Sequence, residues 1–126
     1  MVWEFEADRA EEALRTRKEF LVVIRRLAGE SADTYVFEIV FAEIVGNVIR
    51  HAPGPIRMEL HHHGDDVLLA VRDHGPGFSL RTIEPDLYSE NGRGLFLVAK
   101  LAKRLEVERA PGGGSIVRTL LPLKAA

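Results

Sequence analysis

The sequence predicts an α+β fold: a two-layer α/β sandwich with a mixed, mostly antiparallel sheet of about five strands and three helices on one face. Three observations carry this. Alternating apolar stretches are joined mostly by short turns, without the strand–helix–strand alternation of a doubly wound sheet. The stretch Phe37 to Pro53 keeps one helical apolar stripe along its length. The chain has 126 residues, 46% hydrophobic and 29% charged, which suits a single domain spanning residues 1–126.

In chain order, Val2 to Glu6 alternates as a short first strand. Asp8 then caps a helix to about Leu27, with Ala10, Leu14, Phe20, Leu21, Ile24 and Leu27 as its apolar positions, and Gly29 stops it. Ser31 or Asp33 is the N-cap expected for the central helix, which ends before Pro53 because the residue preceding proline avoids helical backbone. Ile56, Met58 and Leu60 alternate with Arg57, Glu59 and His61, and Gly64-Asp65-Asp66 turns the chain into VLLAVRD, a hairpin. An irregular, acidic segment, Ser79 to Asn91, precedes Gly92-Arg93-Gly94-Leu95, which opens an amphipathic helix to about Leu105. The strand LEVERA, the turn Pro111 to Gly114 and the alternating strand SIVRTLLPL complete the chain.

The central helix carries polar residues where a core helix should be apolar. At about 100° per residue, Phe37, Phe41, Ile44, Val45 and Val48 form the oily stripe, and Glu43, Asn47 and His51 stack on a second one. Val36, Ile39 and Val40 surround that second stripe, so its carboxylate and carboxamide need partners. DHGPGF, Asp73 to Phe78, marks a sharply bent backbone with room beside it. Glycines at a helix start, as in Gly92 to Leu95, expose N–H groups that suit phosphate. In the run His61-His62-His63, only His61 and His63 share a strand face, and it reads as a solvated strand end rather than a metal site.

Composition removes several classes. A formal charge of −2 gives no electrostatic case for nucleic acid or an anionic membrane. Without cysteine there are no disulfides and no thiolate zinc sites, and a cytoplasmic home is expected. The N-terminus is charged from its fourth residue, unlike a secretory leader, and no apolar run approaches the roughly 20 residues of a membrane span.

Taken together, Glu43-x-x-x-Asn47, Asp73-x-Gly75-x-Gly77, Gly92-x-Gly94 and a closing Gly-rich turn leading to Thr119 resemble the ATP-binding boxes of the GHKL superfamily. That superfamily includes gyrase B, MutL and the histidine kinases, and its domain is the Bergerat fold. The resemblance runs from about Phe37 to Leu123, and the short path from DHGPGF to GRGL looks most like the anti-sigma factor serine/threonine kinases of partner-switching systems.

The resemblance implies ATP or ADP with Mg²⁺, and a role for each matching residue. Asp73 would accept from the adenine amine, Thr119 would support the base through water, and Gly75 and Gly77 would let the backbone pass the nucleotide. Asn47 would hold Mg²⁺, and the N–H groups of Gly92, Gly94 and Leu95 would cradle phosphate. Arg93 would meet the γ-phosphate, and Glu43 would be the general base. Arg50 and His51 would contact phosphate or cap the helix. The implied activity is phosphorylation of a small STAS-type anti-sigma antagonist, with a sigma factor and, as a homodimer, a second copy as further partners. The alternatives are a nucleotide-binding anti-sigma or switch module with little or no kinase activity, and a histidine-kinase-like catalytic fragment whose acceptor lies on a separate partner. The single N-terminal helix argues against a two-component kinase, which needs a dimerising hairpin bearing its histidine.

Overall fold

The computed structural model describes residues 1–51, 54–74 and 90–123. The elements are β1 (Val2–Glu6), α1 (Ala10–Ala28), α2 (Tyr35–His51), β2 (Pro55–His63), β3 (Asp66–Arg72), α3 (Glu90–Leu101), β4 (Arg104–Arg109) and β5 (Ser115–Pro122). The sheet order is β1-β2-β3-β5-β4 and every described pairing is antiparallel, so the expected mixed character is absent among them. Hairpin turns produce two of the four pairings, β2–β3 and β4–β5, while β1–β2 and β3–β5 are closed across intervening helices. At the β2–β3 turn, His63 faces Asp66 across a two-residue loop, and Gly64 supplies the positive φ of +64° that such loops demand.

The period of two sorts the sheet into faces. One cross-strand row runs Trp3, Met58, Val71, Val117 and Val107, and its neighbour runs Leu60, Leu69, Thr119 and Leu105. These rows share the core with Phe20 and Ile24 of α1 and with Phe37, Phe41, Ile44 and Val48 of α2. Phe20 is the hub: it stacks on Phe41 at 5.5 Å and meets Phe37 and Trp3 edge-on at 6.5 and 6.3 Å. Truncating so buried an aromatic to alanine typically costs about 3–5 kcal/mol.

Several local expectations shift. Arg9, not Asp8, precedes α1 and makes no side-chain cap; Glu11 and Glu12 in the first turn serve the helix dipole instead. Ala10 and Leu14 are exposed, because in the early turns of α1 it is Ala13 and Thr16 that face inward. Thr34 occupies the N-cap position of α2, its hydroxyl donating to Glu38 Oε2 at 3.0 Å, while Asp33 Oδ1 accepts from the Tyr35 N–H at 2.9 Å. The last helix ends at Leu101 rather than Leu105, because Lys103 and Arg104 already join the sheet: Lys103 N–H donates to the Leu120 carbonyl.

Candidate active site

Four pieces of the chain supply the expected site residues within the described structure: α2, the end of β3, the first turns of α3 and β5. On α2 the packing follows the stripe read from sequence. Phe37, Phe41, Ile44, Val45 and Val48 are buried, Glu43 is half-buried, and Asn47 is only 2% exposed. Both polar atoms of the Asn47 amide are buried and have no hydrogen-bond partner among the described residues. An amide left so costs about 1–3 kcal/mol, a cost that a bound ligand relieves. Arg50 is exposed at the C-terminal turn and His51 closes the helix.

Asp73 continues the inward alternation Val67, Leu69, Val71 and is 1% exposed. It is tied to the start of β5 twice. The Asp73 N–H donates to the Ser115 carbonyl at 3.0 Å, and the Ser115 N–H donates to Asp73 Oδ1 at 3.3 Å. The glycine turn sits against this point. At Gly114, φ is +84° and an added Cβ would lie 2.1 Å from the Asp73 carbonyl oxygen, so only glycine fits. The turn is braced by Ala110 N–H to Gly114 O at 3.0 Å and by Arg72 Nη2 to Pro111 O at 3.0 Å.

Thr119 is fully buried, but it lies opposite Leu69, four residues along β3 from Asp73, and its hydroxyl has no partner among the described residues. Ser115, buried and bonded to Asp73, is the β5 residue beside that carboxylate. The sequence alone does not single it out, because its place beside Asp73 depends on the β3–β5 register.

Helix α3 packs against α2 and opens at Glu90, so Gly92, Arg93 and Gly94 fall in its first turns, where the four leading N–H groups lack helical acceptors. Leu95 is 1% exposed and anchors that start to the core. Gly75 and Gly77, most of the acidic segment, and the side chains of His51 and Arg93 lie outside what is described. No group of three or more metal-ligating side chains occurs among the described residues, the histidine run included. A shallow depression of about 220 Å³ on the opposite sheet face, floored by Leu68 and Leu120, is a separate feature; its Arg104 and Arg118 already pair with Glu106 and Glu108.

A buried aspartate at a strand end, a buried amide one turn after a carboxylate, and a glycine-bearing helix start are set in an α+β domain of antiparallel sheet and helices. The family model for the histidine kinase-like ATPase domain matches residues 5–120, and the chain belongs to that family, within the GHKL superfamily. The signal transduction histidine-protein kinase AfsQ2 of Streptomyces coelicolor is 24% identical over 107 residues, covering 71% of this chain and 20% of its own length. The chain thus spans about a fifth of that relative. Among solved structures, the nucleotide-free catalytic domain of histidine kinase ThkA superposes with a TM-score of 0.60 at 17% identity, covering 100% of this chain and 99% of that one. The blue-light activated histidine kinase of Erythrobacter litoralis gives 0.60 at 18% identity, covering 90% and 60%. At such identities the superpositions establish the fold. The named relatives are histidine kinases, which the single N-terminal helix had argued against. Among the described residues no helix is long and apolar enough to cross a membrane.

Proposed function

We propose that the chain is the ATP-binding catalytic module of a protein kinase that passes the γ-phosphoryl group to an acceptor outside the described residues. The observation that carries this is Asn47, a buried amide without a hydrogen-bond partner among the described residues, one turn after Glu43. Its oxygen is the ligand this chain offers Mg²⁺, a hard ion that prefers oxygen. When bound, that ion neutralises phosphate charge during transfer. Asp73, fixed by Ser115 and Gly114, reads the adenine amine. The first turns of α3 bind phosphate through backbone N–H groups, and Arg93 serves the γ-phosphate. Glu43 takes the acceptor's proton.

The histidine kinase relatives favour a histidine acceptor supplied by another segment or chain. Helix α1 is no half of an acceptor hairpin, because Phe20 and Ile24 commit it to the core. A second reading, a serine or threonine acceptor on a STAS-type partner with a sigma factor held in check, rests on the short path from Asp73 to Gly94. Incubation with γ-labelled ATP, a histidine-bearing helical hairpin domain and the STAS proteins of the same genome tests both. Acid-labile label on the hairpin supports the first reading, and acid-stable label on a STAS protein the second. Failure to bind Mg²⁺-ATP at all would overturn the proposal.

A further inference from the structure

We infer that the outer face of the helical layer docks an acidic, amphipathic helix of a partner protein. Of the eight large apolar side chains exposed among the described residues, six lie on the helices: Leu14, Val22, Tyr35, Ile49, Phe96 and Leu97. On α2 they belong to a regular seam. Tyr35, Ile39, Ala42, Gly46 and Ile49 follow at spacings of four, three, four and three, away from the buried stripe, and none is charged. That spacing is what a helix presents to another helix packed along it.

The centre of the seam is its smallest part. A Cβ at Gly46 would meet only Arg50 Nη1 at 3.6 Å, an ordinary contact, so the chain's own packing does not call for glycine there. Glycine inside a helix is less favourable than alanine. With Ala42 one turn before it, Gly46 gives the middle of the seam side chains small enough for a second backbone to approach closely.

Charge selects the occupant. On the open sheet face, Arg57, Lys103, Arg104 and Arg118 each have a carboxylate partner. On the helices, exposed Arg15, Lys18, Arg26, Arg50 and Lys100 form no ion pair with a described residue, against the free carboxylates Glu11, Glu19 and Glu43. The excess is basic, so acidic flanks on the incoming helix complement it and a second copy of this face would be repelled. An anionic bilayer would answer the charge, but it takes protruding apolar residues rather than small ones.

The test uses the whole chain and a labelled synthetic peptide of three heptads, with leucine at the seam positions and glutamate on both flanks. Fluorescence anisotropy should show saturable binding that weakens with salt. A matching peptide with lysine flanks should bind at least about tenfold more weakly. Ala42→Phe should lose at least about tenfold, and Lys18→Glu several-fold, with melting and nucleotide binding unchanged. Equal binding of both peptides, or Ala42→Phe binding like the parent, would overturn the inference. So would co-sedimentation with phosphatidylserine vesicles without peptide binding, or a dimer that Ala42→Phe dissolves. Nucleotide binding is read separately in the same samples, so this inference and the proposed function can fail independently.

Discussion

Replacing Gly114 by alanine separates two costs that a glycine turn can hide. The first is conformational: φ is +84° at Gly114 and +110° at Gly113, and a side chain in left-handed backbone costs about 1–2 kcal/mol. The second is contact. An added Cβ at Gly114 would lie 2.1, 2.8 and 3.0 Å from Asp73 O, Asp73 C and His74 Cα, all backbone atoms, whereas at Gly113 nothing lies within 4 Å. Relieving that overlap means parting Asp73 from Ser115 and losing two hydrogen bonds at about 0.5–1.5 kcal/mol each. Gly114→Ala should therefore cost about 2–5 kcal/mol and Gly113→Ala about 1–2. Against the stability of a typical domain, about 5–15 kcal/mol, the upper figure of about 5 kcal/mol is a third or more, so ATP affinity is read only on protein that the unfolding curve shows to be folded. Urea unfolding followed by circular dichroism gives the stabilities, and calorimetry on the folded variants gives ATP affinity. ATP affinity should fall in Gly114→Ala and stay near the parent value in Gly113→Ala. Equal loss of stability in both, or unchanged ATP affinity in Gly114→Ala, would refute the claim that this contact holds the Asp73 carboxylate in place.

Three further outcomes follow from the same site. Asp73→Asn can still accept the Ser115 N–H, yet it presents a donor toward the base; ATP affinity should drop by about 1–3 kcal/mol in calorimetry, with GTP bound poorly by the parent. Asn47→Leu removes a buried amide that has no described partner, so the free protein should melt at a temperature no lower than the parent while Mg²⁺-ATP binding is lost; a large fall in melting temperature would show that the amide is satisfied within the fold. Glu43→Gln should keep ATP binding within a few-fold and slow transfer to the acceptor by roughly 10²–10⁴ in a single-turnover assay, and an unchanged rate would remove Glu43 from proton transfer.

The fold was legible because its signals are local. The period-two runs of β2, β3 and β5 and the apolar stripe of α2 each decide which face is buried, and the hairpin glycines join β2 to β3 and β4 to β5. Helix ends were less legible. Arg9 caps α1 without a side-chain bond, and Thr34 outcompetes Ser31 because Glu38 lies one turn ahead to receive its hydroxyl. In the site, Asn47 and Asp73 stood out as polar residues at inward positions. Ser115 did not, since its contact to Asp73 is made by backbone and depends on the β3–β5 register, which no local pattern states. Thr119 is pointed to by the resemblance alone, and the register puts it opposite Leu69.

The aromatic hub also makes the protein its own optical probe. Trp3 is the sole tryptophan, 7% exposed and edge-on to Phe20 at 6.3 Å, and its indole N–H has no hydrogen-bond partner among the described residues. Its emission in the folded state is therefore expected toward the blue, with a red shift once water reaches the ring. Strand β1 sits at the sheet edge, two strand spacings, about 10 Å, from the strand that leads to Asp73. Tryptophan fluorescence should then follow cooperative unfolding while remaining nearly silent to ligand, so the two can be titrated in one cuvette when the nucleotide carries its own fluorophore.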